Sequence, residues 1–285
     1  MKALVTGAGG QLGRALLASA PAGVEAIGLD RGALDIGDER SVANAVHEHA
    51  PALILNAAAY TAVDKAESEP EAAARINAAG PAHLARAAAE TGARLIHIST
   101  DFVFDGNASL PYRPDHPTAP LSIYGRTKRD GEAAALAANP DTLIVRTAWV
   151  YAAGGRNFME TMLRLMAERE TLSVVSDQVG TPTHAASLAA ALWSLAGSPA
   201  RGIVHWTDAG VASWYDFAVA IREEAIAAGL PMRAGGIRPI ATADYPTPAR
   251  RPAFSLLDKS GAWAMTGAAR HWREELRAAI AAKGS

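Results

Sequence analysis

A glycine-rich turn directly after a short apolar strand constrains the fold of this chain more than any other feature. The strand is Ala3-Leu4-Val5, the turn runs from Gly7 to Gly13, and a helical pattern follows to about Ala20. In this arrangement Gly7 permits a tight turn, Gly10 lets the backbone approach a pyrophosphate, and Gly13 lets the helix pack close to the strand. The first amide groups of the helix then face the anion. The sequence therefore predicts a dinucleotide-binding unit, with a glycine turn that binds no ligand as the alternative.

Short apolar runs alternate with helical patterns along the first half of the chain. After the first strand, the predicted strands are Val24–Leu29, Leu53–Leu55, Leu95–Ile98 and Leu143–Val145. Between them lie predicted helices over about 41–49, 70–91 and 125–138, with Ser41 as the N-cap of the first. Short buried strands separated by helices are typical of parallel βαβ units, whose right-handed crossovers produce a doubly wound sheet. The predicted fold class is therefore α/β, with a Rossmann-type doubly wound parallel sheet.

The pattern changes after about Trp149. Helical patterns still cover 157–170 and 185–196, but the segments between them are irregular. We predict that residues 1–150 form an NAD(P)-binding Rossmann domain and that residues 151–285 form a smaller substrate-binding lobe. Some helices and one strand of this partly interleaved lobe are expected to return to the first domain.

The composition excludes several classes of protein. Of the 285 residues, 49% are hydrophobic, which suits a globular protein with a sizeable core. The 27 Lys and Arg residues and 29 Asp and Glu residues give a formal net charge of −2, so no nucleic acid partner is expected. Because there is no cysteine, disulfides, thiolate catalysis and cysteine zinc sites are excluded. With neither a signal peptide nor the ~20 apolar residues of a membrane span, we predict a cytoplasmic protein without a membrane partner.

A tyrosine and a lysine lie four residues apart at the predicted start of a helix. Tyr124 and Lys128 therefore share one helix face. Reduction of a ketone by hydride creates an alkoxide that must be protonated, and a phenol with an ordinary pKa of ~10 is poorly suited to this near neutral pH. A nearby ammonium stabilises the phenolate and lowers that pKa, and Lys128 can also bond the nicotinamide ribose. Two exposed helix residues are the alternative, and the glycine turn favours catalysis.

Polar residues also follow the fourth predicted strand. Ser99, Thr100 and Asp101 lie at its carboxyl end, where doubly wound sheets bind ligands. The Thr100 hydroxyl can hydrogen-bond a substrate carbonyl and polarise it. Its position alone fits a helix cap or a turn equally well.

The second predicted strand ends at an acidic and a basic residue. A carboxylate at Asp30 accepts hydrogen bonds from the adenosine ribose and favours NAD. Arg31 beside it suits a 2′-phosphate and favours NADP. These two residues favour different cofactors, so the cofactor is predicted only as NADH or NADPH.

Together, the glycine turn, the Ser-Thr pair and the Tyr-x-x-x-Lys spacing resemble the extended short-chain dehydrogenases/reductases. Within them the chain is similar to the dTDP-4-dehydrorhamnose reductases over most of its length. The matching blocks are Gly10–Gly13, Asn56–Glu67, Ser99–Gly106, Tyr124–Lys128, Arg146–Tyr151, Asn157–Phe158, Asp177–Gln178, Thr181–Thr183 and Tyr245–Pro252. A single block would carry little weight, but several blocks in register identify the family that the chain resembles.

The resemblance implies hydride transfer from NADPH or NADH to C4 of dTDP-4-dehydro-L-rhamnose, which gives dTDP-L-rhamnose. It makes Tyr124 the proton donor to the C4 oxygen, with Lys128 and Thr100 beside it. The residues expected to bind the substrate are Thr100, Asp101, Trp149 and Arg251. With the residues reasoned above, the cofactor-binding set is Gly7, Gly10, Gln11, Leu12, Gly13, Asp30, Asp35, Ile36, Ala59, Tyr60, Thr61, Ile98, Tyr124 and Lys128.

Several of these residues also have a plain structural interpretation. Trp149 fits a core residue, because a large aromatic side chain after a buried strand usually packs inside. Arg250 and Arg251 suit the diphosphate of a sugar nucleotide, but they fit surface charges as well. Asp177 and Gln178 fit either loop caps or nucleotide contacts, and the sequence does not decide between them.

The family pattern is broken where some members bind a metal. Those members form a dimer around a magnesium ion, which is held by acidic residues on the first helix and on the helix after the Pro-Thr segment. The corresponding stretches here are Arg14-Ala15-Leu16 and Ser187-Leu188-Ala189-Ala190, which carry no anionic oxygen ligand of the kind that magnesium prefers. We therefore predict no intrinsic metal, and a homodimer formed through another surface stays open.

Two other functions share parts of the same pattern. Nucleotide-sugar epimerases and dehydratases have the glycine loop and the Tyr-Lys pair, but dehydratases commonly add acidic residues, and here Phe102 follows Asp101. A non-catalytic regulatory subunit that binds NADP is the second alternative, since related folds serve that way. The intact set of Thr100, Tyr124 and Lys128 argues against it.

Overall fold

The computed structural model describes residues 1–284, and Ser285 lies outside the described residues. The strands are β1 (Lys2–Thr6), β2 (Glu25–Leu29), β3 (Leu53–Asn56), β4 (Arg94–Thr100), β5 (Leu143–Thr147), β6 (Val150–Tyr151), β7 (Thr171–Val175), β8 (Val179–Gly180), β9 (Thr183–His184), β10 (Gly202–His205), β11 (Ala212–Ser213) and β12 (Gly236–Ile240).

The helices alternate with these strands. They are α1 (Gln11–Ala18), α2 (Glu39–His49), α3 (Val63–Ala66), α4 (Pro70–Ala74), α5 (Gly80–Thr91), α6 (Ile123–Ala138), α7 (Phe158–Glu168), α8 (Ala185–Ala196), α9 (Trp214–Ala227), α10 (Ser260–Thr266) and α11 (Trp272–Gly284). A π-helical segment covers Arg75–Ala79, and short 3-10 helices cover Asp101–Val103 and Thr242–Asp244.

A six-stranded parallel sheet forms the centre of the molecule, in the order β2-β1-β3-β4-β5-β10. Strand β1 lies between β2 and β3. The first crossover therefore leads from β1 to one side of the sheet, and the next leads from β2 back across β1 to the other side. Their divergence opens a crevice at the carboxyl ends of β1 and β3, which is where doubly wound sheets bind ligands. The predicted Rossmann-type sheet is confirmed.

Both faces of the sheet are covered by helices, and alternate strand residues serve the two faces. Leu4 and Ile54 are fully buried in the layer that contains α2 and α5. Their sequence neighbours Val5 and Leu55 are fully buried in the layer that contains α1 and α8. Burial on both faces explains why the strands are continuous apolar runs, since each such side chain contributes about 1.5–3 kcal/mol.

The start of α2 differs from the prediction. Asp38, and not Ser41, is the N-cap, because its carboxylate accepts the amides of Arg40 at 2.9 Å and Ser41 at 3.4 Å. A carboxylate at this position satisfies amides that have no partner within the helix and also interacts well with the positive end of the helix dipole. The helix therefore begins two residues earlier, at Glu39.

The predicted helix over 70–91 is interrupted by the π-helical segment Arg75–Ala79. The Asn77 side chain in this segment accepts the Tyr60 amide at 2.8 Å and donates to the Tyr60 carbonyl at 3.0 Å. Such bulges are frequent at functional sites. Here the bulge fixes the loop after β3 against the helix layer.

The second half of the chain builds a separate core and also extends the sheet. Helices α7, α9 and α11 pack with β7 around side chains such as Phe217 and Met166, and β7 pairs with β12. Strand β10 joins the central sheet beside β5, and α8 packs against α1. The division near residue 150 stays a prediction. Within residues 1–284, no helix combines the length and the apolar character that crossing a bilayer requires.

Two glycines, one in α6 and one in α10, allow a matched test of how closely α6 is packed. A Cβ at Gly131 would collide with the Asn77 carbonyl oxygen, whereas a Cβ at Gly261, in α10, would meet nothing within 4 Å. We expect Gly131→Ala to lower the free energy of unfolding by about 2–3 kcal/mol, and Gly261→Ala to raise it by about 0.5–1 kcal/mol. Denaturant unfolding measures both, and equal effects at the two positions would contradict this account of α6.

Candidate active site

A cavity of about 1110 Å³ opens at the carboxyl edge of the sheet, above the ends of β1, β3 and β4. Its walls also include the start of α6, the β5–β6 connection, and residues of α7 and α9. The predicted residues that line it are Gly7, Gly10, Gln11, Leu12, Asp30, Asp35, Ile36, Ala59, Tyr60, Thr61, Ile98, Thr100, Asp101, Tyr124, Lys128, Trp149 and Arg251. The structure therefore brings both halves of the predicted site into one space.

The glycine loop at one end of the cavity fits a pyrophosphate. Gly7 has φ 66°, and a Cβ there would lie 2.7 Å from the Ala58 amide nitrogen. Gly13 does not line the cavity; a Cβ on it would collide with the Gly7 carbonyl, so its role is close packing. Helix α1 begins after Gly10 with neither a capping side chain nor an acidic residue in its first turn. Its first amides thus remain available to an anion.

Charged residues surround the part of the cavity beyond β2. Asp30 Oδ1 accepts the amides of Gly32 at 2.9 Å and Ala33 at 3.1 Å, which folds the loop after β2. Asp35 pairs with Arg75 at 2.7 Å, and this hydrogen bond holds the pKa of the Asp35 carboxyl below its ordinary value. Two basic side chains also line the cavity, that of Arg31 and that of Arg14, whose Nη1 donates to the Gly9 carbonyl at 2.5 Å.

The proposed catalytic groups meet at the end of β4. Thr100 is the last residue of β4; its hydroxyl donates to Asp101 Oδ1 at 2.9 Å and accepts the Phe102 amide at 3.2 Å. Ser122 caps α6 and thereby places Tyr124 in the first turn of that helix. The missing side chain at Gly125 matters here, because a Cβ would collide with the Phe102 carbonyl. Helix α6 can therefore seat its first turn directly on the end of β4.

Burial governs the titration of this pair. It raises the pKa of Tyr124 to about 12, with the Thr100 hydrogen bond lowering it and the Asp101 charge raising it to a lesser degree. It lowers the pKa of Lys128 to about 8, against the attraction of Glu132. The sequence analysis expected the lysine to lower the pKa of Tyr124. That expectation is wrong for this structure, because loss of solvation outweighs any help from the lysine. The phenol is held protonated, which is the state that a proton donor needs.

A buried ion pair fixes α6 on the sheet. Glu132 of α6 accepts hydrogen bonds from Arg146 of β5 at 2.6 and 2.9 Å, and both side chains are almost fully buried. The Ser99 hydroxyl also donates to Glu132. Sequence reasoning missed Glu132, because nothing in its spacing connects it with β5. The ion pair and the Ser99 contact fix the position of α6 relative to β4 and β5, below the catalytic groups.

Aromatic side chains form the wall opposite the sheet. Trp149 has φ 47°, a left-handed conformation that is uncommon outside glycine, and its ring stacks on Trp214 at 3.6 Å between centroids. Trp214 in turn packs against Phe158 at 4.7 Å, and all three line the cavity. Trp149 is thus a wall of the cavity as well as part of the second core. Sequence reasoning missed Trp214, which lies far along the chain with no motif around it.

Asn157 connects the second core to the glycine loop. Its side chain caps α7 through the Glu160 amide at 2.9 Å and donates to Gln11 Oε1 at 2.6 Å. Gln11 is the first residue of α1. The family resemblance included Asn157 and Phe158 as a matching block, which is the only signal the sequence offered for this wall.

The remaining predicted residues differ in their placement. Arg251 lines the cavity, but its guanidinium pairs with Asp64 at 2.8 and 3.1 Å, so a bound diphosphate would have to share it. Arg250 is exposed and does not line the cavity. Asp177 accepts the Thr242 amide and hydroxyl, and Gln178 donates to the same hydroxyl. These last two residues brace a loop outside the cavity.

The prediction of no intrinsic metal has not been tested and stays a prediction. Over residues 1–284, no three His, Asp or Glu side chains come together in an arrangement that could hold a metal ion.

Comparisons with known proteins show which family this chain is similar to. The model of the family described as "RmlD substrate binding domain" matches residues 1–284. A dTDP-4-dehydrorhamnose reductase from Streptomyces griseus is 48% identical over 284 residues, which cover 96% of this chain and 91% of that protein. The crystal structure of a dTDP-4-dehydrorhamnose reductase from Clostridium acetobutylicum is 40% identical, with a TM-score of 0.94 over 100% of both chains. That of a dTDP-4-dehydrorhamnose reductase from Bacillus anthracis, in complex with NADP, is 35% identical, with a TM-score of 0.92 over 98% of both.

The carboxylate of Asp101 links this site to stability. Burial raises its pKa from 3.8 to about 6, so the folded chain holds this proton more tightly than the unfolded chain. Wild-type stability therefore falls as the pH rises through that interval. We expect Asp101→Asn to raise the free energy of unfolding by about 2 kcal/mol near neutral pH and to have little effect near pH 4.

A nearby aspartate provides a control of opposite sign. The Tyr112 hydroxyl lowers the pKa of Asp105, so that carboxylate stabilises the fold above its ordinary pKa, and this contribution is lost as the pH falls. Asp105→Asn should therefore destabilise the chain near neutral pH. Thermal unfolding of both variants at the two pH values measures this, and a pH-independent effect of Asp101→Asn would contradict the assignment.

Proposed function

This chain belongs to the RmlD substrate binding domain family, and we propose from that premise that it reduces C4 of dTDP-4-dehydro-L-rhamnose with NAD(P)H to give dTDP-L-rhamnose. The observation that carries the proposal is one cavity with the glycine loop at one end and Thr100, Tyr124 and Lys128 at the end of β4. The same cavity is closed by aromatic side chains suited to a nucleotide-linked sugar. This reaction is the last step in making dTDP-L-rhamnose.

The cofactor end of the cavity fits a dinucleotide. Bound NAD(P)H supplies the hydride that C4 of the sugar accepts. The amides at the start of α1 would hold its pyrophosphate, and Ile36 and Asp35 would lie beside the adenosine. We propose NADPH as the preferred form, because Asp30 Oδ1 is engaged with the amides of its own loop while Arg31, the next residue, lines the cavity with its positive charge.

Tyr124 delivers the proton that the reduction requires. Its phenol is held in the protonated state by burial, and the developing alkoxide at C4 is a strong enough base to take that proton. The Thr100 hydroxyl lies beside it, and by turning its proton away from Asp101 Oδ1 it could donate a hydrogen bond to the same oxygen. Lys128, fixed by a 2.7 Å hydrogen bond from Nζ to the Ile98 carbonyl, supplies positive charge near the resulting phenolate.

The substrate end is built to position a sugar. Asp101 is almost completely buried and lines the cavity, and Trp149, stacked on Trp214, lines it as well. Because the hydride and the proton must reach the same carbonyl group, most of the rate enhancement comes from holding the sugar between them. The left-handed backbone at Trp149 is a constraint that the stacked Trp214 stabilises.

The remaining assignments follow from the proposed reaction. NAD(P)H and nucleotide-activated sugars are metabolites of the cytoplasm, so we propose that the protein works there. We propose no nucleic acid partner, since the formal net charge is −2, and no metal. A homodimer, if one forms, would use a surface without a bridging metal ion.

Removing the Tyr124 hydroxyl tests the mechanism. We expect Tyr124→Phe to lower kcat by about 10²–10⁴-fold, the usual contribution of a positioned acid, with the Kd for NADPH unchanged within a few-fold. Turnover is followed by the absorbance of the reduced nicotinamide, and Kd by its fluorescence. Tyr112→Phe is the matched control, because it removes a hydroxyl bonded to Asp105 outside the cavity. Unchanged turnover in Tyr124→Phe would contradict the proposed role of Tyr124 as proton donor.

A further inference from the structure

A line of buried polar side chains runs through the sheet behind the catalytic groups. Thr6, Asn56 and His97 lie on the adjacent strands β1, β3 and β4, and all three are fully buried. The Thr6 hydroxyl donates to Asn56 Oδ1 at 2.7 Å, and Asn56 Nδ2 lies 2.8 Å from His97 Nδ1. His97 Nε2 lies 3.4 Å from Lys128 Nζ. The line therefore ends on the lysine of the Tyr-Lys pair.

The backbone fixes the orientation of the Asn56 amide. The Ala58 amide donates to Asn56 Oδ1 at 3.2 Å, and the Thr6 hydroxyl donates to the same oxygen. A flipped side chain would set its NH₂ group 3.2 Å from the Ala58 amide nitrogen, so that two donors meet in a buried place, and the Ala58 N–H would keep only its 3.3 Å contact with the Thr6 hydroxyl. The oxygen of Asn56 therefore points to Ala58, and its NH₂ group points to His97.

The orientation of Asn56 fixes the tautomer of His97. Since Asn56 Nδ2 is a donor, His97 Nδ1 must be the acceptor, so the proton of the neutral ring lies on Nε2. Burial, with the charge of Lys128 as the lesser cause, holds the pKa of His97 well below its ordinary value, which keeps the ring neutral. The ring therefore presents an N–H group to Lys128 Nζ.

This contact distinguishes between the two forms of Lys128. An ammonium has only donors and would face the Nε2–H of His97 with another N–H, whereas the neutral amine has a lone pair that accepts it. We propose that His97 is a positioning residue for the reduction: held in one tautomer by Asn56, it donates its Nε2–H to Lys128 Nζ and favours the amine that has given up its proton. The inference rests on the proposed function.

The acidic groups around Lys128 do not favour its neutral amine as His97 does. Glu132, on the same helix, attracts the ammonium, but it is paired with Arg146 of β5. Asp101, after β4, acts on Tyr124, which lies on the same face of α6 as Lys128. His97 is thus the titratable group of β4 that contacts Nζ, and it acts against the attraction of Glu132.

The contact between His97 and Lys128 would assist the return of a proton to Tyr124 in each turnover. When Tyr124 has given its proton to the C4 oxygen, its phenolate must take up another. A proton that leaves Lys128 Nζ restores the phenol, and the amine that remains is stabilised by the His97 N–H until water returns a proton to it. A lysine with an ordinary pKa would release that proton far less readily, because each pKa unit is a factor of ten in the equilibrium.

Two substitutions at His97 separate this role from simple packing. His97→Leu removes the donor, so the pKa of Lys128 rises, and the alkaline limb of the kcat profile should move up by about one pH unit, the equivalent of one hydrogen bond. We expect kcat near neutral pH to fall several-fold with the Kd for NADPH unchanged. His97→Gln offers one acceptor to Asn56 and one donor to Lys128, and it should restore the wild-type limb. If the limb has the same position in both variants, His97 has only a packing role.

Nitrogen NMR of the wild-type chain with isotopically labelled histidine tests the tautomer without turnover or substitution. The expected result is a protonated Nε2 and an unprotonated Nδ1 for His97 in the chain without ligands. The opposite tautomer, or a charged ring, overturns the proposal even if the keto-sugar is reduced. Absence of any keto-sugar reduction would overturn the proposed function instead, and the NMR result would still decide the state of His97.

Discussion

The seating of α6 against β4 and β5 is the contact on which the rest of the site depends. It is made by the buried pair of Glu132 and Arg146 and by the close approach of Gly125 to the Phe102 carbonyl just after β4, where a Cβ would collide with that oxygen. On the same helix, Gly131 approaches the Asn77 carbonyl of the π-helical segment just as closely. Breaking a buried pair of this kind by removing one partner costs about 3–5 kcal/mol, because the other charge is left without compensation. The same contact sets Tyr124 beside the last residue of β4, so one packing interaction serves both stability and chemistry.

The site combines two opposite effects of burial. A phenol without solvation keeps its proton, and an ammonium without solvation releases it more easily. The pKa values of Tyr124 and Lys128, which are ordinarily close together, therefore move apart, to about 12 for the phenol and about 8 for the ammonium. The polar line from Thr6 through Asn56 to His97 ends at Lys128 of this pair, so side chains of three adjacent strands connect the sheet to the proposed catalytic groups.

Local patterns in the sequence predicted the parts of the molecule that depend on short segments. The glycine turn, the strands of the first half and the Tyr-Lys spacing are signals within a few residues, and the structure has the corresponding elements. What sequence reasoning missed depends on distant partners: Trp214 reaches the cavity only because α9 packs beside Trp149, and Glu132 gains its role only through Arg146. The cap at Asp38 was missed although it is local, because Ser41 is also a good capping residue.

The identity of the sugar that this chain reduces is tested most directly by the stereochemistry of the reaction. The measurement is the oxidation of NADPH with dTDP-4-keto-6-deoxyglucose, with and without an added 3,5-epimerase, followed by identification of the product. We predict oxidation only when the epimerase is present, with dTDP-L-rhamnose as the product. Oxidation without the epimerase would contradict the claim by showing reduction of a different 4-keto-sugar, and no oxidation under either condition would contradict the proposed reaction altogether.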